Sequence, residues 1–216
     1  DKVESVMSAK DNVLEFRGKV ANRTNVRRRL GLVFDAVSEL LIKTGPDLVS
    51  IPDIEEYSGI PKDEIFRFYP DKHALLSAMA KGSMEALERA ISSSIAGQVN
   101  SDWRELIVFG TDAAVSFCNE NPSAAQLVFA GPFGSEDRAA HDDANTAIVA
   151  ALRPGIPTPI SDESIALMIQ MDFSCLRYGY LRDGQISDEI AVEATLASIA
   201  YLEGRQSINL RSASAS

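Results

Sequence analysis

Residues 50–76 read SIPDIEEYSGIPKDEIFRFYPDKHALL, and the fold turns on this stretch. Ser50 is a helix N-cap candidate, with Asp53 in the capping-box position and Pro52 in the first turn, where a missing N–H costs nothing. Ile54 and Tyr57 form an apolar i, i+3 pair. Gly59 closes the helix, because glycine alone enters the left-handed conformation without steric cost. Pro61 restarts helical geometry within two residues. Ile65, Phe68 and Tyr69 then supply an inward face, while Lys62, Asp63, Phe66 and Arg67 fall outward. A second stop comes at Tyr69-Pro70-Asp71, and Asp71 caps a new helix beginning at Lys72. Two helices this short cannot both bury themselves, so the second offers a face to something else. That pattern implies a helix-turn-helix, with the second helix set to enter a DNA major groove.

Upstream, Leu30, Val33, Phe34, Val37 and Leu41 mark one face of a helix through Lys43, ended by Gly45-Pro46-Asp47. Arg23, Arg27, Arg28 and Arg29 form the densest basic cluster in the chain. It is either a solvated helix start or an arm reaching phosphate or the minor groove. Residues 1–22 read as an extension. Downstream, Lys72 to about Val99 reads as a long helix with Leu75, Leu76, Met79, Leu87, Ile91 and Ile95 inward. Ser101 caps a further helix to about Asn119, with Trp103, Leu106, Phe109, Ala113 and Phe117 on its apolar face. A short helix over Ser123–Ala130, a glycine-proline break and an amphipathic helix over 135–152 follow. The stretch 154–161, PGIPTPIS, is a loop. Ser161 opens an apolar helix to about Leu181, and a last helix runs from about Asp188 to Glu203, with a disordered tail expected from Gln206. No strand pattern, internal repeat or nucleotide-binding glycine loop is present, so the fold class is all-α. The expected division is an extension (1–22), a helix-turn-helix head (23–71), a helical ligand-binding and dimerisation domain (72–205) and a flexible tail (206–216).

Charge is divided unevenly along the chain. The net charge is −10. Residues 1–81 hold 13 Lys and Arg against 13 Asp and Glu, whereas residues 82–216 hold 8 against 18. Every lysine lies at or before Lys81. A neutral head can approach phosphate; a body this acidic cannot. No apolar run reaches membrane-spanning length and no signal pattern is seen, so no membrane partner and a cytoplasmic location are expected. Cys118 and Cys175 are too few and too far apart for a disulfide framework or a zinc site, and no metal or cofactor is expected.

The head resembles the tetracycline-repressor (TetR) family. The positions that carry the likeness are Gly45, Ser50, Ile54, Gly59, Ile60, Phe66, Tyr69, Lys72 and Leu75, at that family's spacing and over about a quarter of the chain. The resemblance implies a three-helix DNA-binding head ahead of a variable all-helical ligand domain. It also implies a regulator, most often a repressor, that binds double-stranded operator DNA as a homodimer through its last two helices. Small residues there (Ala191, Ala194, Ala197, Ser198, Ala200) let backbones approach closely, as an intermolecular four-helix bundle requires. The candidate DNA-contacting residues are Arg28, Ser50, Lys62, Asp63, Glu64, Phe66, Arg67 and Lys72. Two departures stand out. Asp63 and Glu64 occupy positions where the family usually has glycine and threonine or serine, and Phe66 replaces a tyrosine whose hydroxyl can reach phosphate. They leave room for a rival reading, a TetR-like sensor or protein-interaction module that has lost specific DNA binding.

Catalytic chemistry is hard to assemble. His73 and His141 are the only histidines, and His141, Asp142 and Asp143 are adjacent on a helix and so do not converge. No catalytic residues are assigned and the chain is read as a non-enzyme. Asp172 is the polar residue of interest, because it sits in the apolar run IALMIQMDFSCL with no basic partner at helical spacing. Either it pairs with Arg104 or Arg177 or lies at an exposed helix edge, or it faces a ligand. In the second case the pocket is expected to be lined by Trp103, Phe109, Phe129, Met168, Met171 and Cys175, walls suited to a small hydrophobic or aromatic effector.

Overall fold

The computed structural model describes residues 25–98, 101–130 and 135–213. The N-terminal extension, Arg23, the break at 131–134 and the end of the SASAS tail lie outside the described residues. All regular structure among the described residues is helical. The chain divides into two compact units, Asp1–Lys72 and His73–Ser216.

In the first unit, α1 (residues 25–44), α2 (Ile51–Ser58) and α3 (Lys62–Phe68) enclose a small core. Helices as short as α2 and α3 are unstable alone in water, so packing has to hold them. Val33, Val37, Leu41, Ile54 and Ile65 do this, each at 2% exposure or less. Ser50 caps α2 as expected: the Asp53 N–H donates to its Oγ at 3.3 Å. Gly59 ends the helix at φ 66°, and its N–H donates to the Glu55 carbonyl. Phe68, expected inward, is 39% exposed. Counting about 100° per residue from Ile65, Tyr69 lies nearer the buried direction than Phe68. Tyr69 takes the inner place, its ring centroid 6.2 Å from that of Phe34.

The second unit is built from α4 (Lys72–Ala96), whose first residue belongs to the other unit, α5 (Trp103–Glu120), α6 (Pro122–Ala130), α7 (Ser135–Leu152), α8 (Asp162–Asp183) and α9 (Asp188–Ala213). Asp102, not Ser101, caps α5, because Glu105 lies three residues on and completes a capping box. The buried face of α5 is Trp103, Leu106, Ile107, Gly110, Thr111, Ala114 and Cys118, so Phe109, Ala113 and Phe117 sit at its flank. Choosing the largest apolar side chains misjudged that rotation. The small residues and Thr111 are the ones that let neighbouring helices close in.

Loop 154–161 is tied down by Arg153, whose guanidinium donates to the carbonyls of Ile156, Pro157 and Ile160 and to the Asp162 carboxylate. Asn119 clamps the α8–α9 turn, exchanging two 2.9 Å hydrogen bonds with the backbone of Ile186. Where α8 meets α9, a Cβ at Gly179 would lie 2.8 Å from Ile190 Cγ2, so only glycine permits that approach. Ala194 and Ser198 are completely buried inside the protomer. Ala191, Ala194 and Ser198 therefore close α9 onto its own chain, whereas Ala200 is exposed. α9 also continues as helix to Ala213, beyond the Glu203 end expected from sequence.

Candidate DNA-binding helix and interior cavity

The eight candidate DNA residues are not equivalent. Lys62, Asp63, Phe66 and Arg67 are exposed on α3, and Arg28 is exposed on α1. Ser50 spends its hydroxyl on the α2 cap, where it both accepts from Asp53 N–H and donates to the Asp53 carboxylate. Lys72 donates through Nζ to the Asp47 carbonyl at 3.2 Å. Glu64 is turned away from the open face of α3 and forms an ion pair with Arg29 of α1. The helical spacing of α3 explains this: Glu64 precedes the buried Ile65, at the edge of the inward face. Arg29 thus belongs to the framework of the head, while Arg27 and Arg28 beside it stay exposed.

In the second unit, a cavity of about 30 Å³ lies among α4, α5, α7 and α8. Ile91, Ile95, Leu106, Ile107, Ile148, Leu152, Met168 and Ile169 make it apolar, and Thr111 and Asp172 are its polar lining. Asp172 is 9% exposed. Its Oδ1 accepts from Thr111 Oγ1 at 3.0 Å and from Ser198 Oγ at 3.3 Å, so one oxygen joins α5, α8 and α9. Burial pushes its carboxyl up to about 6, outweighing the two hydroxyls, which pull it down. Arg104, considered as a partner from sequence, is engaged elsewhere: it pairs with Asp102 and Glu203 and lies over the Trp103 ring, 4.4 Å from the centroid.

Of the expected pocket residues, Met168 and Asp172 line this cavity. Trp103 is buried beneath Arg104, and Phe109 and Met171 are partly exposed. Phe129 is fully buried in an aromatic cluster with Phe173 and Tyr180, at centroid distances of 5.5 and 5.3 Å. Cys175 is partly exposed one turn beyond Asp172, its thiol pushed up by burial and by the charges of Asp172 and Glu193. Burial pushes the Cys118 thiol up to about 12, which leaves it a small apolar group with no thiolate at neutral pH.

A second space, an outer cleft of about 330 Å³, opens between α6, α7 and α8. Its floor is Val128, Phe129 and Phe173, and its rim includes His141, Asp142, Gln170 and Arg177. Phe173 lines both the cleft and the inner cavity. Sequence patterning missed Phe173, Thr111 and Ser198. The only available signal was that Thr111 and Ser198 are hydroxyls on otherwise apolar helix faces. Among the described residues, no three His, Cys, Asp or Glu side chains are placed to hold a metal ion, and no helix is long and apolar enough to cross a membrane.

No sequence-family model matches the chain, and no curated protein matches it in sequence. Solved structures do. A TetR-family transcriptional regulator from Streptomyces coelicolor is similar with a TM-score of 0.65 at 16% identity, covering 82% of this chain and 97% of the other. The fatty acid degradation regulator FadR from Bacillus halodurans is similar with a TM-score of 0.66 at 11% identity, covering 82% and 95%. A TetR family transcription regulator from Marinobacter aquaeolei VT8 is similar with a TM-score of 0.58 at 17% identity, covering 84% and 97%. At these identities the likeness is one of fold, and the chain has the fold of the TetR-family transcriptional regulators.

Proposed function

We propose that the protein is a homodimeric DNA-binding transcriptional regulator, acting as a repressor, whose operator affinity responds to a small ligand held in the second unit. The observation that carries this reading is the state of α3. Its inner edge is tied to α1 through Glu64 and Arg29, and its other side leaves Lys62, Asp63, Phe66 and Arg67 uncovered. A short helix fixed along one edge and bare along the other suits insertion into a major groove. The Streptomyces coelicolor and Bacillus halodurans proteins of the same fold bear the names of regulators, which supports a non-catalytic role.

Two copies are needed to place two such helices a helical turn apart on DNA. The surface that serves this is a stripe of Leu167, Tyr178 and Leu181 on α8 with Val192 and Leu196 on α9, each at least half exposed. Aliphatic and aromatic side chains at helical spacing on two adjacent helices match one half of a four-helix bundle. The ligand site is the Asp172 cavity, with DNA affinity altered by linkage between the two binding equilibria.

The test is selection of duplexes from a random pool, followed by titration of the enriched sequence across a salt series. An enriched palindromic site with a steep salt dependence is expected. Failure to enrich any duplex, together with no binding at low salt, would sink the proposal. That outcome would favour the alternative, a sensor or interaction module on this fold. The observation behind the alternative is that Lys62 and Arg67 on α3 are accompanied by the exposed carboxylate of Asp63, within a head of balanced charge.

A further inference from the structure

The chemistry of the two spaces narrows the class of ligand, on the reading above that a ligand binds in the second unit. Asp172 is the one ionisable residue among those described around the inner cavity. Thr111 and Ser198 both donate to Oδ1, and Oδ2 receives neither hydroxyl. A carboxylate can accept about four hydrogen bonds, so acceptor capacity remains. An ionised carboxylate among isoleucines and leucines is costly unless a cation joins it. The cavity supplies acceptors and hydrocarbon but no cation.

Size separates the roles of the two spaces. About 30 Å³ is room for a small polar head such as an ammonium. The outer cleft, at about 330 Å³, is large enough for a small organic body, and Val128, Phe129 and Phe173 give it an apolar floor. Phe173 is the common wall, partly exposed and lining both spaces.

We propose that the cavity and cleft form one site for an amphiphilic amine, with its ammonium on Asp172 and its apolar or aromatic body against Phe173 and Phe129. Orientation follows from charge. The rim of the cleft carries Arg177 and His141 beside Asp142, whereas the inner end carries Asp172 alone, so the ammonium enters first. A ligand with a carboxylate head would meet like charge at the same place. Thr111 and Ser198, reaching in from α5 and α9, fix the carboxylate before the ligand arrives.

Titration gives a second signature. The carboxyl, pushed up to about 6 by burial, is part protonated near that pH, and an arriving ammonium favours its ionised form, so binding there releases a proton. Around it, α4 and α7 present apolar side chains, α5 adds Thr111 and α9 adds Ser198. The titratable neighbour is the Cys175 thiol on the same helix, which stays protonated because burial and the charges of Asp172 and Glu193 push it up.

The test uses the full chain and three matched probes: 4-phenylbutylamine, 4-phenylbutanol and 4-phenylbutyrate. Calorimetry at pH 7.5 is expected to find the amine bound at least about tenfold more tightly than the alcohol, with the carboxylate weakest. Asp172→Asn is expected to bring amine and alcohol level, while Glu189→Gln, which removes an exposed carboxylate of α9 outside the site, retains the preference. At pH 6 the heat of amine binding is expected to vary with buffer ionisation enthalpy, as proton release requires. If the alcohol binds as well as the amine, or if the preference survives Asp172→Asn, the amine assignment fails and the ligand cavity stands. If none of the three binds at millimolar concentration, the ligand cavity fails too. Should Asp172→Asn not fold, the ranking of the three probes and the proton release of the unmodified chain still decide the matter.

Discussion

Glu64 in the first unit and Asp172 in the second are both acids set against a protein core, and they are held in opposite ways. Glu64 lies at the edge of its core and takes a partner of opposite charge, Arg29, with water still reaching both side chains. Asp172 lies inside its core and takes two hydroxyls, which supply hydrogen bonds but no counter-charge. The first arrangement orients a helix. The second leaves a group whose charge is unfavourable where it stands, and such a group responds to whatever arrives. The head uses its polar side chains to fix a surface, whereas the body holds a carboxylate in a largely apolar interior.

The largest test of that contrast is the pH dependence of stability. The native carboxyl of Asp172 titrates at about 6, against 3.8 for the ordinary group, so between those values the native state holds a proton that the unfolded chain has lost. Stability contributed by this group therefore falls as pH rises from about 4 to about 6, then levels, by up to about 3 kcal/mol. Urea denaturation of the native chain minus that of Asp172→Asn is expected to show this descent. A flat difference would mean the carboxyl is solvated, and the contrast with Glu64 would collapse.

Next in size are two variants that separate the outer face of α8 and α9 from the inner face of α9. Leu196→Glu combined with Leu181→Glu is expected to give monomers by sedimentation while leaving the fold intact, and to weaken operator binding by about a hundredfold. Ala194→Leu, at a completely buried position, is expected to cost about 1–3 kcal/mol of stability instead, through overpacking. If Ala194→Leu yields stable monomers and the double glutamate variant remains dimeric, the assignment of the two faces is reversed.

The smallest effect belongs to the head. Glu64→Gln removes a partly exposed ion pair and is expected to cost about 1 kcal/mol or less in thermal denaturation. Because the side chain is committed to Arg29, base preference in the selected operator is expected to stay the same. A change in preference at one base pair would return Glu64 to the set of residues that read DNA.

Much of the first unit was legible in the sequence because its signals are local. Ser50, Gly59 and Pro61 each act on backbone within four residues, and the helix ends they imply are those observed for α2 and α3. The body was less legible. Large apolar side chains suggested a pocket of Trp103, Phe109, Phe129, Met168, Met171 and Cys175; of these Met168 lines the inner cavity and Phe129 the outer cleft, and the cavity lies where Gly110, Thr111 and Ala114 leave room. Bulk marks where a core fills, and small residues mark where helices approach or a space remains.

The sequence by itself determined the all-helical class, the helix-turn-helix boundaries and the uneven division of charge, since caps, breakers, periodicity and composition need no knowledge of distant partners. Tertiary structure alone decided what each acid does. Glu64 meets Arg29 35 residues away, and Asp172 meets Thr111 and Ser198 at separations of 61 and 26. It also decided that Ala194 and Ser198 of α9 turn inward while Val192 and Leu196 turn outward. The physical reason is common to both: a side chain's energy depends on what faces it across a helix interface, and that neighbour is set by how the helices pack, not by the residues adjacent in the chain.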